Sequence, residues 1–212
     1  MEEFNTIAEN MKITAEIVEK KSKFIANIFY IDSVEEADNI IKAIKKKYYD
    51  AKHNCIAYRV MVNDKIVERS SDGGEPSGTA GAPMLAILQK NNLCNILVVV
   101  TRYFGGILLG TGGLVSCYSQ ATLDALEKAP KILKCIGQEA KVELDYPSFE
   151  IFKYYCKNSE INITNIEYSD KIICNIEAEK DKIDKIVQDI SLKNIIVKEI
   201  IILNKKYISK SI

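Results

Sequence analysis

The stretch Asn95-Ile96-Leu97-Val98-Val99-Val100-Thr101-Arg102-Tyr103-Phe104-Gly105-Gly106-Ile107-Leu108-Leu109-Gly110-Thr111-Gly112-Gly113 decides the fold. Its first half is an apolar run rich in β-branched residues and reads as a buried strand over 95–103. Its second half is a glycine loop over 103–111. The loop enters a helix over 113–128 whose inward stripe is Leu114, Tyr118, Ala121, Ala125 and Leu126. Pro130 closes that helix.

Moving outward, residues 70–81 (Ser-Ser-Asp-Gly-Gly-Glu-Pro-Ser-Gly-Thr-Ala-Gly) lack hydrophobic periodicity and read as a second loop, followed by a short helix starting near Pro83. Residues 13–19 and 24–31 alternate and read as antiparallel strands turning at 20–23. A hairpin over 55–62 and 65–68 turns at Asn63-Asp64. Between these hairpins, residues 33–49 carry apolar residues at helical spacing. Ser33 and Glu36 form a capping box, and the lysines lie towards the negative end of the dipole. Downstream, residues 138–145, 147–158, 161–168, 171–177, 181–192 and 195–203 read β-α-β-β-α-β, the order of a ferredoxin-like domain. The expectation is a mixed α+β chain with an α/β domain over 1–130 and a ferredoxin-like domain over 131–212.

Composition restricts function. The chain has 212 residues, 29 bases and 29 acids, so its formal net charge is zero. Long duplex DNA is gripped by a basic face that a neutral chain lacks. The first 13 residues lack the basic start and apolar run of a signal peptide, and no apolar run approaches the ~20 residues of a membrane helix. The expected location is the cytoplasm, with no membrane partner. Six cysteines with no C-x-x-C pair, and a single histidine, argue against a metal site and read as reduced thiols. No cofactor is expected.

Nine of the ten glycines lie between Gly73 and Gly113. From Pro76 to Leu123 there is no acidic residue, and Lys90 and Arg102 are the bases. Glycine loops bring backbone N–H groups close to a ligand, and a helix start at Gly112-Gly113 would favour an anion. Known nucleotide motifs fail. Gly105 and Gly110 have P-loop spacing, but Thr111 stands where lysine is required. Val115 stands where the dinucleotide fingerprint needs glycine. His53 and Cys55 share a strand face but lie too far apart for a Cys–His nucleophile. Ser77, Thr79, Asp72 and His53 could in principle form a triad, yet no spacing singles one out.

Four motifs occur in order: Lys21-Ser22-Lys23-Phe24; His53-Asn54-Cys55 through Tyr58-Arg59; Asp72 through Pro83; and Arg102 through Leu114. Together they resemble the IMPACT family in its bacterial branch. Where that pattern carries arginine at or near position 116 this chain has Ser116, which removes a potential anion contact. The resemblance implies an N-terminal domain like the second domain of a small-subunit ribosomal protein. It also implies a C-terminal ferredoxin-like domain like the last domain of elongation factor G. Eukaryotic relatives regulate translation by competing for a ribosome-associated activator of a stress kinase. Bacteria lack that pathway, so the partner does not carry over.

The reading that follows is a non-catalytic binding protein of translation or its regulation, contacting RNA, the ribosome or a translation-associated protein. Its binding cleft comprises His53, Asp72, Gly73, Glu75, Ser77, Thr79, Arg102, Tyr103, Phe104, Gly105, Gly106, Gly110, Gly112 and Gly113. Arg102 would supply charge, and Tyr103 and Phe104 a stacking surface. The alternative is an enzyme acting on a small phosphorylated or acyl substrate, with Asp72 and Glu75 as base or metal ligands and His53 as acid–base. A protein–protein adaptor instead predicts exposed apolar residues near Phe104 and Leu108.

Overall fold

The computed structural model describes residues 3–9 and 11–209. The chain divides into two compact units, the first running to Ile132 and the second beginning at Leu133. In the first, β1 (Glu3–Ile7) precedes a hairpin of β2 (Lys12–Glu19) and β3 (Ser22–Tyr30). Then come α1 (Val34–Lys47), a hairpin of β4 (His53–Val62) and β5 (Lys65–Ser71), α2 (Gly81–Lys90), β6 (Ile96–Tyr103) and α3 (Gly110–Glu127). The sheet order is β2-β3-β6-β4-β5, and every pairing is antiparallel.

β6 is the middle strand, which accounts for its apolar run. Ile96, Val98 and Val100 point into a core shared with α2 and α3, while Leu97 and Val99 point into a second core under α1. Period-2 alternation therefore serves two apolar layers. α1 is capped as its sequence predicts: the Ser33 hydroxyl accepts from the Glu36 amide at 3.2 Å, and the Glu36 carboxylate accepts from the Asp32 amide at 2.9 Å.

Several boundaries differ from the sequence reading. β1 was not expected; its five residues are too few to show a period, and it is held by neighbours distant in sequence. The Asn5 amide donates to the Asn92 carbonyl, and the Asn5 carbonyl accepts from Cys94. The first turn is the two residues Lys20-Lys21, both at positive φ. α2 begins at Gly81 and α3 at Gly110, ahead of the expected starts near Pro83 and at Gly113. Glycine marks a loop in sequence, yet opens both helices for different reasons: Gly81 packs against the Ser71 backbone, whereas Gly110 has open space around it and a φ of 70°.

The second unit contains β7 (Lys131–Leu144), α4 (Tyr146–Asn158), β8 (Asn162–Tyr168), β9 (Ile172–Ala178), α5 (Lys180–Ser191) and β10 (Glu199–Ser209). β7 lies between β10 and β9, and β8 flanks β9. Each β-α-β connection thus skips one strand, which the other connection fills, giving the ferredoxin-like split β-α-β arrangement. Phe149, Phe152 and Cys156 of α4, with Ile183 and Ile186 of α5, cover one face of the sheet. β7 is longer than expected and β10 is shifted towards the C-terminus. The Ile-rich stretch before Glu199 belongs partly to the connection, where Ile195 is buried.

Candidate functional site

Strand register assembles the site. Arg102 of β6 lies opposite Phe24 of β3 on one side and His53 of β4 on the other. Residues directly opposite share a face, so Phe24, Arg102 and His53 form one row on the α2/α3 face of the sheet. Both glycine loops meet the end of this row.

The Asp72 carboxylate organises the first loop. One oxygen accepts from the Gly78 amide at 2.9 Å; the other accepts from the amides of Ala80 at 3.0 Å and Gly81 at 2.8 Å. Ala80 is the N-cap of α2 and offers no capping side chain. Asp72 therefore caps that helix from eight residues away, at its positive end. Partial burial works against the charged form of Asp72, but the three amide hydrogen bonds outweigh it and hold its pKa below the ordinary carboxylate value. Gly81 must be small, because a Cβ there would come within 2.7 Å of the Ser71 amide.

Glu75 projects from the same loop into a buried ion pair. Its Oε1 accepts from Arg102 Nη1 at 2.7 Å and from the Tyr118 hydroxyl of α3 at 2.9 Å. The side chains of Arg102 and Glu75 are 6% and 4% exposed. Arg102 also donates to the Ser22 hydroxyl at 3.3 Å, and its guanidinium lies between the rings of Phe24 (5.3 Å) and Phe104 (5.5 Å). The expectation that Arg102 supplies charge to a ligand thus meets an arginine already neutralised by Glu75. Burial, then Cys55 and Glu75, raise the Tyr118 hydroxyl well above its usual pKa, so it remains a donor.

The other expected residues fall as follows. His53 is half-buried, with Nδ1 3.2 Å from the Gly73 carbonyl. Cys55 points to the same face, as its spacing predicts, and donates to the Asp72 carbonyl at 2.8 Å. Burial pushes its thiol up to about 12, which removes it as a nucleophile at neutral pH. Thr79 is buried and donates to the Pro76 carbonyl at 2.7 Å, while Ser77 is exposed. With Asp72 on backbone amides and Thr79 on Pro76, these residues make no triad. Tyr103 turns to the opposite face and donates to Asp50 at 2.7 Å. Of the expected aromatic pair, Phe104 alone joins Arg102.

The glycines divide into two kinds. A Cβ on Gly73 would overlap the Asn54 carbonyl, and one on Gly105 would overlap the Lys21 carbonyl. Gly105 also donates its amide to the Ser22 hydroxyl at 3.1 Å. By contrast, a Cβ on Gly78, Gly106, Gly110 or Gly112 would meet nothing within 4 Å. The first three of these have positive φ, whereas Gly112 does not. Gly113 is moderately confined, 3.2 Å from Leu109 Cβ. The helix start expected at Gly112-Gly113 lies instead at Gly110, so those two glycines sit inside the first turn of α3.

Three participants went unrecognised in the sequence. Ser22 ties Arg102 to the second loop, Tyr118 ties α3 to Glu75, and Asn54 accepts from the buried Thr101 hydroxyl at 2.7 Å. Ser22 lay within a quoted motif, and Tyr118 within the apolar stripe of α3; residue type alone did not distinguish either from its neighbours.

Residues 20–126, half of the chain and spanning this whole constellation, match the Impact N-terminal domain. The chain belongs to the IMPACT family. The IMPACT family member YvyE of Bacillus subtilis is 38% identical over 157 residues, covering 74% of this chain and 72% of that protein. The IMPACT family member YigZ of Escherichia coli is 34% identical over 158 residues, covering 74% and 78%. A crystal structure described as that of a hypothetical protein superposes with a TM-score of 0.63 at 29% identity, covering 96% of this chain and 97% of that one. IMPACT relatives reach into animals: Protein IMPACT of Rattus norvegicus is 34% identical over 100 residues, 45% of this chain and 31% of its own. Among the described residues no helix is long and apolar enough to cross a membrane, and no cluster of His, Cys, Asp and Glu is arranged to hold a metal.

Proposed function

We propose that this IMPACT-family chain is a non-catalytic binding protein of translation or its regulation, acting in the cytoplasm through the surface formed by its two glycine loops. In this reading residues 1–130 carry the contact surface and 131–212 form a separate ferredoxin-like domain. The observation that carries the binding reading is how the charged groups are used. Asp72 is committed to three backbone amides, and Glu75 to Arg102 and Tyr118. These are the groups that an acid–base or metal-assisted reaction would have to use. What the second loop offers to solvent is apolar: Phe104, Ile107 and Leu108 are 50%, 44% and 82% exposed. Adjacent apolar side chains left in water fit recognition of a macromolecule better than turnover of a small polar substrate. Family membership supports the translation setting, since the resemblance implies that role for eukaryotic relatives. The test is co-sedimentation of the full chain with ribosomes on a sucrose gradient, compared with a Leu108→Asp variant. Association that the substitution abolishes supports the proposal; no ribosomal association, or association indifferent to Leu108, overturns it.

A further inference from the structure

The chain contains two hairpins built on the same two-residue turn but with opposite chemistry. The β4–β5 turn uses Asn63-Asp64 at φ 48° and 61°. Asn and Asp tolerate this left-handed region and are favoured there. The β2–β3 turn uses Lys20-Lys21 at φ 43° and 63°. Lysine has no local hydrogen bond to offset the clash of Cβ with the backbone, so a pair of lysines here costs stability that Asn-Gly would recover. Both lysines are exposed, and among the described residues neither has an ion-pair partner. Neither the fold nor a neighbouring acid accounts for them.

This turn is part of the surface formed by the second glycine loop. Gly105 packs directly on the Lys21 carbonyl and donates to Ser22, which fixes the start of the loop against the turn. Phe104, which precedes Gly105, is therefore held next to the turn that carries the two lysines, and the exposed Ile107 and Leu108 follow in the same loop. The loop and the first turn of α3 contain no acid. Glu19 is the acid adjoining the turn, and Glu16 is already paired with Lys23 at 2.7 Å.

We infer that the Lys20-Lys21 turn and the Phe104–Leu108 loop form one docking surface for an acidic protein segment with apolar anchors. The inference rests on the binding reading above and names the partner's chemistry. Charge complementarity selects an acidic partner. Tyr103, the other half of the expected stacking pair, turns to the opposite face and bonds Asp50, so Phe104 lacks its stacking companion, and the aliphatic Ile107 and Leu108 favour apolar side chains over nucleic-acid bases. In this inference the strained turn serves to carry two exposed lysines at the edge of the loop.

The test selects a phage-displayed library of random 16-residue peptides on the full chain. The expected result is enrichment of sequences with Asp or Glu beside Leu, Ile or Phe. The best peptide, synthesised, should lose roughly tenfold in affinity with a Lys20→Asn/Lys21→Gly double variant and with Leu108→Asp. The double variant carries the decisive signature: its Tm should rise by about 2–4 °C while binding falls. Folding failure therefore cannot explain the loss. Enrichment of basic or uncharged peptides, no enrichment, peptide binding indifferent to both variants, or a lowered Tm in the double variant each overturns the inference. So does tighter binding, through the same lysines, of a random 20-nucleotide RNA pool or of phosphatidylglycerol vesicles. If ribosome association fails while the peptide result holds, the translation setting falls and the docking surface stands; the converse leaves the setting and removes the acidic segment.

Discussion

Substituting Glu75→Gln isolates the buried charge on Arg102. The guanidinium is held by one short charge-assisted bond to Glu75 at 2.7 Å, a longer bond to Ser22 at 3.3 Å and two ring faces beyond 5 Å. Its Nε has no partner among the described residues. Removing the carboxylate charge from so enclosed a site leaves a desolvated cation, a change that typically costs about 3–5 kcal/mol. The amide of glutamine keeps the shape and can still accept from Arg102 and Tyr118, recovering on the order of 1 kcal/mol. The expected loss is thus near the lower limit, about 3 kcal/mol. With a urea m-value of roughly 2 kcal/mol/M, the midpoint of the N-terminal unit should fall by about 1.5 M. Urea titration followed by circular dichroism measures it. An Arg102→Met/Glu75→Gln double variant, which removes both charges, should recover most of the loss, since a buried pair can be replaced by apolar groups at little net cost. A single substitution costing less than ~1 kcal/mol, or a double variant no better than the single, would refute the argument that Glu75 is there to neutralise Arg102.

Other substitutions test the loops one residue at a time. Gly105→Ala should cost several kcal/mol, above the ~3 kcal/mol of a large packing defect, because its Cβ overlaps the Lys21 backbone; thermal unfolding reads this. Gly112→Ala meets open space in a helical turn and should stabilise by about 0.5–1 kcal/mol in the same assay. Asp72 has a depressed folded pKa, so its contribution is complete above the ordinary value of about 3.9 and is lost as pH falls through the lower folded value. Asp72→Asn should therefore be less stable than the parent at pH 7, and the difference should shrink below pH 4. Cys55, with its thiol pushed up to about 12, should resist iodoacetamide at pH 8 in the folded protein and react once urea unfolds it; labelling read by mass spectrometry decides the point.

Much of the fold was legible because its signals are local. The β6 run, the Ser33–Glu36 capping box and the Asn63-Asp64 turn each lie within a few residues and are dictated by periodicity or φ preference. β1 was not legible, because Asn5 is fixed by Asn92 and Cys94 far along the chain. The glycine loops stood out in the sequence, but the contacts made within them did not. That Arg102 meets Glu75, 27 residues away, depends on the register of β6 with β3 and on the path of the first loop. No spacing rule carries that information. Asp72 is the clearest instance: an acid between a strand and a glycine loop looks available for chemistry, and only the position of α2 shows that it caps a helix. Ser22 and Tyr118 were hidden for the opposite reason, since a serine opening a strand and a tyrosine on an apolar stripe are ordinary until their partners are known.

The central place of β6 also has a consequence for synthesis. The sheet order is β2-β3-β6-β4-β5, so the strand that joins the two hairpins is the last of the five to leave the ribosome. Each hairpin can zip from its own two-residue turn as soon as it emerges. The inner edges of β3 and β4 then remain open, presenting unpaired backbone groups between apolar side chains, until residues 96–103 arrive to bridge both. A nascent chain that has emerged only as far as Ile96 would hold two sticky half-sheets with no common core, whereas emergence of β6 would let both close in a single event. A pause in translation should therefore matter most in the interval after β5 has emerged and before β6 has.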